Sequence, residues 1–421
     1  MHRTAVTGNR TIMASTRTTS HPPAAASFGR DQSLALLRRG YLFWDHLRAR
    51  DGAEIVRARL LHERATAVRG AAAAQRFYEQ PDTERSSALP KSLVKPLFGA
   101  GAVHTLDGHA HAHRKAMFNA RLDATAVHAV VQDVSRAWDE AAPHWLGEVD
   151  VFTEIAEMLF RAGCRWVGLD ARDAARRTHD MLALIDGFGA PSTRQLRARA
   201  ARRRTNAWVA EHVQQARRSP SGRLTPVDAV AAHRDTDGNL LDERTAAVEI
   251  INLVRPLVAV SWLVSGMAHA YDEEPKLRAD VLSGAVTPME MAQEVRRTTP
   301  FVPFLATRPV RDLVWQGVPV PRGTLLVLDV WGTNHDPASW SDPEVFDPLR
   351  FRTTPVTPYN LVPQGGGDRH TGHRCPGEDL TLAVLMAIAP RLAAVEGSVV
   401  DRQPGLRRMP PRPHCAVRVA A

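Results

Sequence analysis

Cys375 stands in the stretch Pro363-Gln364-Gly365-Gly366-Gly367-Asp368-Arg369-His370-Thr371-Gly372-His373-Arg374-Cys375-Pro376-Gly377-Glu378. Glycines at 365, 366, 367, 372 and 377 suit a backbone that takes positive φ or comes close to a large flat ligand. An apolar, helix-like run from Leu380 to Ala389 follows, so Pro376 falls where a first-turn proline belongs. Cys375 then lies at a helix N-terminus, where backbone N–H groups and the macrodipole favour a thiolate. His373 and Arg374 could add positive charge. A thiolate held this way is a good single axial ligand for haem iron. The alternative is a glycine loop around a buried, inert cysteine.

Three further stretches carry side chains able to do chemistry. Lys95 to Gly108 mixes glycines with apolar residues, as a loop over a flat ligand would, and holds His104 between Val103 and Thr105. A packed loop histidine is the plainer reading. His109, His111 and His113 alternate, which invites a metal site. Alternate residues of a helix do not share a face, so that reading is rejected, whereas His111 and Lys115, four apart, do share one. The third stretch, Ala246 to Met267, is the most apolar in the chain, yet Glu249, Asn252, Arg255 and Pro256 interrupt it. Arginine in such a run is costly unless paired. Arg255 is either an internal partner of Glu249 or a cation waiting for a ligand carboxylate.

These residues need rigid elements to hold them. Helical patterns are expected near 72–79, 109–120, 123–142, 151–168 and 173–186, with a capped short helix at Asp31–Leu37. Ala53–Ile55 and Ala58–Leu61 read as a two-stranded ribbon, and Leu325–Val330 as a buried strand. The interruptions in 246–267 favour a buried central helix over a membrane span. Pro256 inside it opens the backbone ladder.

A chain of 421 residues, 44% hydrophobic, can bury a large core. Its net charge of +9 comes from arginine, since lysine occurs only at 91, 95, 115 and 276. Arginine clusters at 194–204 and 402–412 carry no nucleic-acid-binding signature, so compositional bias is preferred to an anionic partner. Three widely spaced cysteines argue against a disulfide framework, and Cys164 and Cys415 read as packing residues. Residues 1–27 lack an apolar signal core and are expected to form a disordered basic tail.

The cysteine loop resembles that of cytochrome P450, with Cys-x-Gly at Cys375 and Gly377 and His373 two residues earlier. More narrowly, Gln364-Gly365-Gly366-Gly367 and Gly372 to Glu378 resemble the loop of the bacterial fatty-acid peroxygenases, which use hydrogen peroxide directly. The usual Phe-x-x-Gly opening is absent and the loop is longer, as in that branch. Arg255-Pro256 resembles the branch's carboxylate-binding pair, and no acid-alcohol pair of the oxygen-using members follows it. His104 matches a position held by Gln or His, the His form being associated with decarboxylation to terminal alkenes, and Phe98 matches a supporting aromatic. His111 and Lys115, with Arg114, resemble the basic residues that meet the haem propionates. Glu294-x-x-Arg297 resembles the family's structural ion pair, and Phe301 to Phe304 the segment that packs on the acyl chain. Asp347-Pro348-Leu349-Arg350-Phe351 resembles a Pro-Glu-Arg-Phe motif, with Leu349 in place of the acid, which puts one arm of an ion network in doubt.

The resemblance implies a mainly α fold with small β-sheets, one P450 domain over 28–421, and haem b bound through Cys375, with His111, Lys115, His373 and Gly366 around it. It implies peroxide-dependent oxidation of a long-chain fatty acid at Cα or Cβ, by hydroxylation or by decarboxylation. Arg255, His104, Phe98 and Phe301 would bind the substrate, and Arg255, His104 and Pro256 would serve the reaction. His104 is expected to hold a proton near physiological pH and so to favour alkene over 3-hydroxy acid. Fatty acid and hydrogen peroxide are the expected partners. No redox partner, nucleic acid or integral membrane segment is expected, and the setting is cytoplasmic. The competing readings are a redox-partner-fed P450 acting on another carboxylated small molecule, and a non-catalytic haem or lipid-binding protein.

Overall fold

The structure, a computed structural model, describes residues 28–190, 192–219, 225–401, 405–412 and 414–419. The tail expected at 1–27 lies outside the described residues. Helix α1 (Ser33–Arg39) has Gln32, not Asp31, as its N-cap. The Asp31 carboxylate instead accepts the Ser33 N–H at 2.9 Å and the His62 N–H at 2.6 Å, which ties the start of the helix to the first ribbon. Helix α2 (Phe43–Asp51) buries Phe43, Trp44 and Leu47 and ends at Gly52 in the left-handed region.

The ribbon is β1 (Val56–Leu60) and β2 (Glu63–Val68), displaced from the expected segments. Arg57 and Arg59 do not break the strand. They alternate with buried Val56, Ala58 and Leu60 at the strand period of two. Leu61 and His62 make the turn at φ 49° and 67°, setting Leu60 opposite Glu63.

Next come α3 (Ala71–Glu79), β3 (Thr83–Glu84), α4 (Lys91–Phe98), α5 (Gly108–Asn119) and α6 (Ala124–Ala141). Strand β4 (Glu148–Asp150) leads into α7 (Val151–Val167) and α8 (Ala174–Asp186). Asp123 and Asp150 cap α6 and α7 by accepting the N–H groups of Ala126 and Thr153, close to where the apolar periodicity begins. The sequence reading passed over α4, because Pro96 lies inside it. Helix α9 (Thr193–Arg218) holds the first arginine cluster, and several of these side chains bind within the fold. Arg194 donates to Asp186 O and Met409 O, and Arg204 pairs with Asp180.

After α10 (Pro226–Ala232), the apolar stretch forms two helices rather than one. Helix α11 (Glu243–Val258) and helix α12 (Val260–Glu273) meet at Ala259, three residues after Pro256 removed an N–H from the ladder. The run Glu243–Glu273 is long and apolar enough to cross a membrane, but 89% of its apolar window is buried inside the protein.

The remainder builds α13 (Pro275–Leu282), α14 (Pro288–Thr298), β5 (Phe304–Pro309), β6 (Leu313–Trp315), β7 (Val318–Val320) and β8 (Leu325–Asp329). Then come α15 (Val330–Asn334), α16 (Glu378–Ala393), β9 (Gly397–Val399) and β10 (Ala416–Val419). One sheet runs β1-β2-β8-β5-β3, with β2 and β8 parallel and every residue of β8 buried. A second runs β4-β10-β9, and β6 pairs with β7. Residues of α6, α7, α11, α12 and α16 share one hydrophobic core, so the fold is mainly α with small sheets.

Glu294 pairs with Arg297 at 2.7 Å and with Arg350 at 3.2 Å, all three buried. Leu349 is exposed, and the network closes without an acid at that position.

Candidate active site

The cysteine loop is pinned from three sides. The Cys375 N–H donates to Gln364 O at 3.0 Å, and Asp368 closes a tight turn by accepting the N–H groups of His370 and Thr371. From α5, Lys115 Nζ donates to Gly372 O and to Arg374 O. From α14, Arg296 pairs with Glu378, which also holds Arg374, and Arg296 Nε donates to Gln364 Oε1 at 3.1 Å. This second buried ion cluster escaped the sequence reading, although Arg296 adjoins Arg297 and Glu378 lies three residues after Cys375. Cys375 comes just before α16, whose N-cap is Gly377. Burial pushes its thiol up, while the Gly377 N–H and the Lys115 charge pull it back.

Several glycines of this loop are required by the protein's own backbone and packing. Gly365 and Gly367 have φ of 88° and 76°. A Cβ on Gly366 would lie 2.5 Å from Pro358 O and 2.9 Å from the Tyr78 ring, so protein packing alone requires glycine there.

The expected basic group around the loop is also different in detail. His111 stacks on His373 with ring centroids 3.9 Å apart. Burial lowers the pKa of His111 to about 4 and that of His373 to about 2, so both are neutral near pH 7 and His373 adds no positive charge beside Cys375. Burial lowers Lys115 to about 8, leaving it mostly charged. Arg85, not anticipated, supplies the second cation here: its charge is felt at His111, Lys115 and His373, and its guanidinium lies 4.8 Å over Tyr78. Arg114 faces elsewhere and pairs with Glu249 at 2.8 Å. His109 and His113 lie 6.2 Å apart, and no group of three or more potential metal ligands occurs among the described residues.

Across the interior, Glu249 accepts from Arg114, from the Val103 N–H at 2.8 Å and from Asn252 Nδ2 at 3.3 Å. Arg255 therefore is not its partner. Its Nη2 donates to Asn252 Oδ1 at 3.2 Å, its Nε has no hydrogen-bond partner, and no carboxylate lies within ion-pair distance of it among the described residues. Burial lowers its pKa to about 10, so it stays charged, and the Cys375 charge is felt there. The guanidinium lies 5.4 Å over the Phe98 ring.

Phe98 in turn lies 4.2 Å from the ring of His104 and 6.1 Å from that of Phe188. The structure thus brings together Arg255, Phe98 and His104 from α11, α4 and a 3₁₀ turn at Val103–Thr105. His104 keeps an exposed surface, although protein atoms crowd its ring. Burial and the Arg255 charge push its pKa down to about 3, which makes it a neutral imidazole and corrects the expected proton store. Phe301 packs 5.6 Å from Trp262 and lines a cavity of about 30 Å³ with Leu263, Trp331 and Gln364. Asn252, which orients Arg255 and takes Phe98 O at 3.0 Å, had been seen only as an interruption in the apolar run.

Residues 290–390 match the pattern of the family described as Cytochrome P450. Abscisic acid 8'-hydroxylase 3 of Oryza sativa is 24% identical over 341 residues, 72% of this chain and 66% of that protein. The chain thus spans just under two thirds of the length of that relative. Among solved structures, cytochrome P450SP alpha in complex with (R)-ibuprophen is 37% identical with a TM-score of 0.87, covering 93% of this chain and 98% of that one. A variant of cytochrome P450 OleT in complex with arachidonic acid is 34% identical with a TM-score of 0.88, again covering 93% and 98%. With a pinned cysteine before α16, an unpaired arginine on α11 and this whole-length likeness, the chain belongs to the cytochrome P450 family, in its bacterial fatty-acid peroxygenase branch.

Proposed function

We propose that this protein oxidises long-chain fatty acids at Cα or Cβ with hydrogen peroxide, with the substrate carboxylate paired to Arg255. The observation that carries the reading is Arg255 itself: buried, charged, and left without an acid by the Arg114–Glu249 pair. Arachidonic acid and ibuprophen, present in the two similar structures, are both carboxylic acids, which supports the same ligand chemistry here.

Haem b is the family's cofactor, and the residues fit it. Cys375 offers a sulfur at a helix N-terminus. Lys115 and Arg85 would supply positive charge for its propionates, and the buried Tyr78 hydroxyl has no partner within the protein. Bound there, the haem supplies peroxide activation and removal of hydrogen from the acid.

The chain's own residues set the conditions. Arg255 anchors the carboxylate, and Asn252 orients the guanidinium. Held by Arg255, the substrate carboxylate would be placed to take a proton from peroxide and to give it back, with Cα and Cβ kept close by the same anchor. Pro256 removes a backbone N–H beside the arginine. Phe98, beside Arg255, would pack on the acyl chain near its head, and Phe301 would pack on it from the cavity it lines with Leu263 and Trp331. Neutral His104 offers a hydrogen bond at the substrate's head. Hydroxylation converts RH and H2O2 to ROH and H2O. Decarboxylation converts R–CH2–CH2–COOH and H2O2 to R–CH=CH2, CO2 and two H2O.

A single domain over 28–421, a cytoplasmic setting and independence from a redox partner belong to the same proposal. The three free cysteines agree with a reducing compartment. Mixing purified haem-loaded protein with peroxide and a fatty-acid panel tests it. Turnover to hydroxy acid or alkene without reductase is expected. A need for a reductase would favour the redox-partner-fed alternative, and no oxidation under either condition would favour a binding protein.

A further inference from the structure

The last turn of α4 leaves the carbonyls of Pro96, Leu97 and Phe98 without helical donors. Side chains of two other helices take them. Asn252 donates to Phe98 O at 3.0 Å from α11. From α9, Arg202 donates through Nε to Pro96 O at 3.0 Å and through Nη2 to Leu97 O, with Nη1 3.4 Å from Asn206 Oδ1. Arg202 is 7% exposed, and no carboxylate lies within ion-pair distance of it among the described residues. Burial, with the Arg255 charge adding to it, lowers its pKa to about 9, and Arg255 lies beyond Phe98, the next residue of α4, with its guanidinium 5.4 Å over that ring. Two buried cations that repel, with no acid between them, are both stabilised when an anion enters.

On the reading that a fatty carboxylate pairs with Arg255, we infer that Arg202 is a positioning and specificity residue for that carboxylate: it clamps the end of α4 so that Phe98 stays against Arg255, and its uncompensated charge favours an anionic head group over a neutral one. The clamp follows from where α4 ends. Phe98 is its last residue, and the bonds to Pro96 and Leu97 fix the turn that aims the ring. The charge acts through low-dielectric protein, where a second cation reaches a carboxylate it does not touch.

The test uses haem-loaded wild type, Arg202→Gln and Arg202→Lys. Dodecanoic acid and 1-dodecanol are titrated separately while the haem absorption shift is followed. Hydrogen–deuterium exchange over residues 91–98 is measured without ligand. Arg202→Gln is expected to weaken the acid about tenfold and the alcohol less than about twofold, with faster exchange at 91–98. Arg202→Lys keeps the charge but loses the two-carbonyl fork, so it should hold acid affinity within about threefold while exchange still rises. Equal losses for acid and alcohol in Arg202→Gln, or an unchanged acid affinity, would overturn the charge role. Unchanged exchange in both variants would overturn the clamp. If wild type binds the alcohol as tightly as the acid, it is the Arg255 reading that fails, and the exchange result still decides the clamp.

Discussion

Arg114, from α5, takes the carboxylate of Glu249 at 2.8 Å, and by doing so leaves Arg255, the buried cation of α11, free for a ligand. The two charges that sequence alone could have paired, Glu249 and Arg255, stay apart because Glu249 is turned to Arg114 and to the Val103 N–H. A structural ion pair would have closed the site. The arrangement found leaves Nε of Arg255 with nothing to bind inside the protein.

Arg255→Ala should weaken fatty-acid binding by roughly 1.5–3 kcal/mol, the range for a charge-assisted hydrogen bond, and abolish peroxide turnover. Binding titrations and product analysis check this. Near-normal activity would make the arginine structural only.

Cys375→Ala should lose the thiolate-type carbon monoxide difference spectrum. Cys164 and Cys415 are buried elsewhere, with their thiols pushed up to about 12, and neither can substitute. A retained spectrum would refute the ligand assignment.

With His104 neutral, its part in the outcome is a hydrogen bond rather than a proton, so His104→Gln, which keeps a donor, should leave both the ratio of alkene to hydroxy acid and peroxide consumption largely intact. Because burial holds the imidazole neutral down to about 3, the wild-type ratio should stay flat between pH 6 and 8. A ratio that titrates near 6.5 would restore a protonated His104, and wild type making no detectable alkene would remove the residue from any part in the outcome.

Acid should destabilise the fold. Buried His335, stacked 3.8 Å from Trp331, has its pKa lowered to about 4. A folded-state pKa below the unfolded value means that the unfolded chain binds more protons in acid. The stability is therefore complete above about pH 6.5 and is lost as pH falls toward 4, this one group costing roughly 2 kcal/mol at pH 5. Thermal midpoints from pH 7.5 to 5 should fall, and His335→Gln should flatten the slope. An unchanged slope in that variant would contradict the assignment.

Glu294→Gln should cost about 3–5 kcal/mol, since Arg297 and Arg350 would be left buried without their acid. Leu349→Glu, on an exposed position, should change stability by less than about 0.5 kcal/mol. Urea midpoints of the two variants decide whether the network is as complete as its geometry.

Much of this was legible in the sequence because it was local. Helices α5 to α8 follow apolar spacing, with capping aspartates at α6 and α7, and the cysteine loop announces itself by glycine and proline. What stayed hidden depends on contacts between distant segments. Arg85 reaches the loop from the turn after β3, and Arg202 reaches α4 from α9. The protonation of His104, His111 and His373 was misjudged for the same reason: spacing shows where a histidine lies on a helix, and only packing shows how little water remains around it. The β1 boundary was misplaced because arginines on its outward face looked like interruptions.

The buried, unpaired Arg255 on α11 also bears on how the two products leave. A hydroxy acid keeps its carboxylate, so it would compete with fresh substrate for Arg255 and inhibit as it accumulates. An alkene has lost that group as carbon dioxide and retains only apolar contacts with the pocket. The decarboxylation route thus dismantles the product's own tether, and it should run to higher conversion before slowing than the hydroxylation route does.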